Sequence, residues 1–315
     1  MSRAWLARGL GVVWLATAAG TAASGTAASG TAVAQERRPD VSGMAWISDS
    51  LLLAVHDAKN PDELDWPRVS LLRLPRSSDG MAWQPVELAW PAPLGPSSDL
   101  ESVARIPGTG LLLLAESGEE VEGDRQHRRI FLVEWCGGRL VLRAVAPWPA
   151  PVVNVEGTAV ARVGERLVFL YAERAQGASA TALRWAALTL DPLGFGAFRE
   201  IVLPAAAAVA PRARPVSALE VDGAGRLYVA TATDPDDDNG PFRSGVWRIG
   251  RIAPAPDAAE GAAIKLDGVP ERLATLDGLK VEGIAVRDLP GGGIEIVVGT
   301  DDENYGGVIR LLPGP

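Results

Sequence analysis

A fivefold repeat constrains this chain more than any other feature. Five segments open with a hydrophobic residue, then Ser or Glu, then a small residue, and turn into a second, strongly apolar strand. They are VSGMAWISDSLLLAVHD from Val41, LESVARIPGTGLLLLAES from Leu100, VEGTAVARVGERLVFLYAER from Val155, VSALEVDGAGRLYVATATD from Val216 and VEGIAVRDLPGGGIEIVVGTDD from Val281. The anchor residues Ser42, Glu101, Glu156, Ser217 and Glu282 are separated by 59, 55, 61 and 65 positions. A third apolar stretch follows in each unit, and a more polar fourth in the first four, as in Trp83 to Trp90 and Leu140 to Ala146. Four antiparallel strands repeated at this spacing predict an all-β, five-bladed β-propeller, because one blade cannot bury both of its apolar faces alone. The last unit stops after its third strand, so an incomplete closing blade is expected.

Composition agrees with this architecture. The 315 residues include 35 glycines and 24 prolines, the turn residues that many short strands require. One cysteine, Cys136, excludes an intramolecular disulfide, and two histidines, His56 and His127, argue against a multi-histidine metal centre. Thirty basic against thirty-nine acidic residues give a formal charge of −9, which argues against binding a nucleic-acid polymer. The first residues carry Arg3 and Arg8, an apolar run from Gly9 to about Gly20 and an Ala32-Val33-Ala34 cleavage pattern. Residues 1–34 therefore read as a cleaved signal peptide, and 35–315 as one propeller domain, secreted or periplasmic, monomeric and not held in a membrane. Cleavage leaves 28 basic and 39 acidic residues, a charge of −11.

Propeller topology turns the repeat into a site. The start of each first strand and the end of each second strand meet at one mouth of the central channel. Ser42, Glu101, Glu156, Ser217 and Glu282 are thus expected as a ring. Converging carboxylates with no imidazole or thiolate among them suit a hard cation, with Ca²⁺ favoured over Mg²⁺. The alternative is that these acids are satisfied by backbone amides and water. The ends of the second strands supply His56, Asp57, Glu116, Glu173, Arg174 and Asp301 as candidates for acid–base work or for gripping a phosphate or carboxylate, with Lys59, Asp234 and Asp302 beside them.

The anchors in their contexts VSGMA, LESVA, VEGTA, VSALE and VEGIA resemble the secreted calcium-activated nucleotidases, or apyrases. VEG followed by a hydrophobic residue and Ala is also similar to phytase-like and esterase-like bacterial propellers. The resemblance implies that the five anchors hold Ca²⁺ and that the activity is hydrolysis of nucleoside phosphates. The nucleotidases carry Asp-Asp-Arg-Thr-Gly where this chain has His56-Asp57-Ala58-Lys59-Asn60, so their phosphate-gripping arginine is missing here. The expected function is metal-dependent hydrolysis of a phosphate ester or anhydride at the channel mouth. The alternative is a non-catalytic propeller that binds a small ligand or protein around a structural ion. Inward-facing His56, Lys59 and Arg174 favour catalysis, and outward-facing ones favour binding.

Overall fold

The computed structural model describes residues 38–58, 65–74, 82–92, 95–97, 99–118, 128–174, 180–203, 213–233, 235, 237–255 and 261–314. The segment read as a signal, Lys59, His127, Asp234, most of the acidic stretch 116–124 and the alanine-rich 205–210 lie outside them.

Five antiparallel sheets follow one another in chain order. The first blade is β1 (Gly43–Ser48), β2 (Leu51–Val55), β3 (Val69–Arg73) and β4 (Ala82–Pro85). The second is β5 (Leu100–Arg105), β6 (Leu111–Glu116), β7 (Arg129–Cys136) and β8 (Arg139–Pro147). In the third, β9 (Val155–Val163), β10 (Arg166–Glu173) and β11 (Thr181–Leu190) are completed by two short outer strands, β12 (Leu193–Phe195) and β13 (Arg199–Leu203), both paired with β11. The fourth comprises β14 (Ala213–Val221), β15 (Arg226–Thr233), β16 (Arg243–Pro254) and β17 (Ala262–Asp277). The fifth has three strands, β18 (Val281–Asp288), β19 (Ile294–Thr300) and β20 (Ile309–Leu311). Among the described residues no helix is long and apolar enough to cross a membrane.

The apolar second strands are buried on both faces, because each blade is flanked by two others. Five cores result. Leu53 and Val55 meet Leu100 and Phe131 between blades one and two, and Ile130 and Trp148 meet Phe169 and Tyr171 between two and three. Leu170 and Trp185 pack on Leu219 and Val229, Tyr228 and Ala230 on Ile284 and Val298, and Ala285 and Val297 on Met44 and Trp46. The last of these cores closes the circle. Trp46 and Trp185 are buried packing residues, as their strand positions predict, and Trp148, just past the end of β8, is buried too.

The innermost strands touch in a ring, β1 to β5 to β9 to β14 to β18 and back to β1. Their close approach explains the small residue after each anchor. A Cβ on Gly43 would lie 2.7 Å from the Ser102 Cα, and one on Gly157 would lie 2.6 Å from the Leu219 amide nitrogen. Both obstacles are backbone of the next blade, which has no rotamer to yield. Gly157→Val is therefore expected to destabilise the fold by about 3 kcal/mol in urea unfolding; a loss below about 0.5 kcal/mol would show that the inner ring has slack.

The closing blade gains no fourth strand among the described residues. Residues 38–41 are tied to it instead, by Val41 N–H donating to the Thr300 carbonyl (2.9 Å) and by Gly307 N–H donating to the Arg38 carbonyl (3.2 Å).

Candidate functional site

The three anchor glutamates share a backbone device. β5 pairs Leu100 with Glu116 and then Ser102 with Ala115, so Glu101 is an extra residue in its strand. Glu156 is skipped in the same way between Val155 and Gly157, and Glu282 between Val281 and Gly283. A β-bulge redirects the side chain it carries, and here it does so at the same height in three blades. In β14 the irregularity is larger: Arg214 faces Ala232 and Ala218 faces Ala230, so Pro215, Val216 and Ser217 stand against Thr231 alone.

The three glutamates open onto a polar cavity of about 160 Å³, lined by the acids Asp40, Asp57, Glu101, Glu156, Glu282, Asp301 and Glu303, by the cations Arg174, Arg214 and Lys280, and by Ser42. Seven acids against three bases give the lining a formal charge of −4.

The cations sit among the acids of blades three to five. Arg214 Nη1 is 2.6 Å from Glu282 Oε1 and 3.7 Å from Glu156 Oε2, so it bridges two anchors. Lys280 Nζ lies 2.8 Å from Asp301 and 3.4 Å from Glu282, and it also pairs with Glu303. Arg174 Nε is 3.6 Å from Glu156 Oε1. The wall formed by blades one and two is acidic. One oxygen from each of Asp57, Asp99 and Glu101 falls within 4.8 Å of the others. The backbones of Asp57 and Asp99 form an antiparallel bridge that joins the two blades, and Ser42 Oγ accepts the Asp57 N–H at 3.1 Å.

Burial governs the protonation of this network. It pushes the Glu156 carboxyl up, with Arg214 opposing and Glu101 reinforcing. Glu282 is raised well above the usual carboxylate range by burial, against the pull of Lys280. Asp301 goes the other way. Burial acts to raise it, but the Lys280 ammonium and hydrogen bonds from Lys280 and Glu282 together hold it below its ordinary value. Glu282 and Asp301 are thus pushed in opposite directions, a coupled pair whose titration steps belong to both. Burial also acts to lower Lys280, yet the charges of Glu282, Asp301 and Glu303 outweigh it and keep the ammonium charged.

Of the expected ligand ring, Ser42, Glu101, Glu156 and Glu282 face this cavity. Ser217 does not line it; its hydroxyl donates to the Val281 carbonyl at 2.6 Å and ties blade four to blade five. A single ion bound by Glu101, Glu156 and Glu282 would compete with Arg214, which already lies within 4 Å of the last two. The donor set that suits a hard cation is Asp57, Asp99 and Glu101: oxygens about 2.3–2.6 Å from one Ca²⁺ stand within about 5 Å of each other.

Asp57, Arg174 and Asp301, three of the six acid–base candidates, line the cavity. The other three are structural in their contacts. His56 is fully buried outside the lining, its Nδ1 2.6 Å from the Asp40 carbonyl and its Nε2 2.9 Å from Ser70 Oγ. Burial, with a contribution from Arg68, pushes its pKa down to about 4 despite the Asp40 carbonyl. The ring is therefore neutral, donating from Nδ1 and accepting the Ser70 hydroxyl, and it reaches no substrate. Glu116 is fully buried, accepting the Arg129 N–H at 2.7 Å and pairing with its guanidinium at 2.6 Å. Glu173 pairs with Arg184 and accepts the Val153 N–H at 2.8 Å.

Sequence reasoning missed Asp40, Asp99, Arg214, Lys280 and Glu303. A signal existed for three of them: Asp40, Asp99 and Lys280 each stand two positions before an anchor, the spacing that places side chains on one face of an extended chain.

No protein-family model matches the chain and no curated protein is similar to it. Among solved structures it is similar to an endo-arabinase from Bacteroides thetaiotaomicron, with 12% identity over 89% of this chain and 97% of the other and a TM-score of 0.53. That likeness shows the fold. An exo-1,5-alpha-L-arabinanase from a bovine ruminal metagenomic library matches with 13% identity, over 88% of this chain and 94% of the other, at a TM-score of 0.47. The periplasmic gluconolactonase of Pseudomonas aeruginosa matches with 12% identity, over 88% and 82%, at a TM-score of 0.34. None of the structures named here is a nucleotidase.

Proposed function

We propose that this propeller is a Ca²⁺-dependent hydrolase of small phosphate esters or anhydrides, acting in the periplasm or outside the cell as a monomer once residues 1–34 are removed. The observation that carries the reading is the division of one small cavity into a side lined by Asp57 and Glu101, with a carboxylate oxygen of buried Asp99 within 4.8 Å of one oxygen of each, and a side where acids and cations alternate (Arg174, Arg214, Lys280 with Glu156, Glu282 and Asp301). Asp57, Asp99 and Glu101 are the residues that would hold the cation, with Ser42 close by. The ion supplies positive charge that offsets the surplus of carboxylates and polarises a phosphoryl oxygen. The chain's own residues move the protons. Asp301, held ionised by Lys280, takes a proton from water as the water oxygen bonds to phosphorus. Glu282, whose proton affinity burial raises, gives its proton to the oxygen that leaves as the phosphorus–oxygen bond breaks. Water and ester thus yield alcohol and inorganic phosphate, with no oxidant or reductant needed. Two carboxyls whose environments push their proton affinities apart are suited to this division of labour.

One observation favours a non-catalytic reading. Arg214 fills the space between Glu156 and Glu282 with ion pairs, which is how a channel is sealed. On that reading Ca²⁺ stabilises the fold without turnover.

Calcium added to chelator-stripped protein is expected to raise the melting temperature by several degrees, and Asp99→Asn to abolish most of that rise. Phosphate release from nucleotides, phytate and aryl phosphates should require calcium and fall at least 100-fold in Asp301→Asn. A melting temperature indifferent to calcium would overturn the metal site. Stabilisation without turnover would select the non-catalytic reading, and release of sugar from arabinan without phosphate release would replace the phosphate class by a glycosidic one.

A further inference from the structure

We propose that Arg174 is the residue that selects the substrate, receiving a terminal phosphoryl group at the rim of the cavity; this rests on the hydrolase reading above and deepens it. The three cations of the cavity differ in how firmly they are committed. Arg214 has a carboxylate oxygen at 2.6 Å and Lys280 one at 2.8 Å, and both side chains are buried. Arg174 has only Glu156 at 3.6 Å, beyond hydrogen-bond distance, and its side chain is 24% exposed. Among the described residues its guanidinium forms no closer ion pair, so its fork of N–H donors can turn to an incoming anion without breaking a short bond.

Its root is fixed while its tip is not. The Arg174 N–H donates to the Asn154 carbonyl at 2.7 Å, which ties the end of β10 to the start of β9. Neighbouring Glu173 is engaged outside the lining with Arg184 and the Val153 amide. The guanidinium therefore stands at the border between solvent and a cavity whose lining is net acidic. An anion is repelled by such a surface everywhere except where an uncommitted cation meets it. A guanidinium fork suits two oxygens of one phosphoryl group, because planar N–H pairs match their spacing.

Size narrows the class further. At about 160 Å³ the cavity is smaller than the ~300–1,000 Å³ usual for whole-ligand pockets. It admits a phosphoryl group and leaves the esterified alcohol outside. The substrate class is therefore a phosphomonoester read by its terminal phosphoryl, with little selection on the alcohol.

Isothermal titration of calcium-loaded protein with inorganic phosphate tests the assignment. Arg174→Gln is expected to weaken phosphate binding at least tenfold, and Arg174→Lys, which keeps the charge but not the fork, by an intermediate factor. In turnover of aryl phosphates, Arg174→Gln should raise KM more than it lowers kcat. Wild-type protein that fails to bind phosphate, or Arg174→Gln that binds it as wild type does, overturns the proposal. Phosphate binding that depends on Arg174 without any ester turnover would leave this subsite in place and remove the hydrolase reading alone.

Discussion

Replacing Arg214 by methionine is expected to destabilise the propeller by about 3–5 kcal/mol at pH 8 and by less at pH 5. Arg214 lies between Glu156 and Glu282, both almost fully buried. Removing one partner of a buried ion pair leaves the other charge without compensation, and that loss, rather than the modest net worth of the pair, sets the magnitude. The dependence on pH follows from the raised proton affinities of the two carboxyls. Their raised proton affinities let both take up a proton more readily than ordinary carboxyls as pH falls, and a protonated carboxyl needs no cation, whereas ionised carboxylates without Arg214 are left uncompensated. Urea unfolding of wild type and Arg214→Met at the two pH values decides the matter. An equal cost at both would mean that Arg214 acts through packing of its stem alone.

The second large effect concerns Glu220, on β14 beyond the anchors. Burial raises its carboxyl from 4.5 to about 8, with the Val221 N–H opposing at 2.8 Å, Asp222 adding to the rise and Arg105 opposing it. The unfolded chain gives up this proton near pH 4.5, whereas the folded chain keeps it until about pH 8. Between those values the unfolded state binds fewer protons, so stability falls as pH rises, at up to about 1.4 kcal/mol per pH unit for one group. Glu220→Gln retains an acceptor for the Val221 amide and cannot ionise. It should match wild type near pH 4.5 and exceed it by on the order of 4 kcal/mol at pH 8. Parallel stability curves for the two proteins across this range would sink the argument. His56 has the opposite sign: its folded value of about 4 lies below the ordinary 6.5, so it contributes stability present above pH 6.5 and lost as pH falls toward 4.

Much of the architecture was legible in the residues because each blade repeats the same physical problem. A short strand that must approach the axis needs a small residue after its anchor, as Gly43, Gly157 and Gly283 supply. A central strand covered on both faces must be apolar throughout, as Leu111 to Ala115 and Val168 to Ala172 are. The anchors Glu101, Glu156 and Glu282 could be read as a set because all three sit at the same step of that repeat. The fifth unit showed no fourth apolar-flanking strand in its pattern, and its sheet has three strands among the described residues.

The partners of those acids were not readable. Arg214 reaches the cavity because β14 is irregular in a way the other inner strands are not, and nothing in Arg214-Pro215-Val216-Ser217 signals which residue the distortion turns inward. Its two carboxylates lie 58 and 68 positions away in other blades. His56 shows the converse. Its place at the end of β2 suggested the mouth, yet the carbonyl of Asp40 and the hydroxyl of Ser70 hold it inside the blade.

The amino-acid sequence by itself determined the number of blades, the order of their strands and the convergence of acids on one end of the channel, because periodic apolar patterning and small residues dictate which faces are buried. Only the tertiary structure decided which cations meet which acids: Arg214 with Glu156 and Glu282, and Lys280 with Asp301 and Glu303. That choice depends on side chains from different blades meeting within 3–4 Å, and a contact of that kind leaves no periodic trace along the chain.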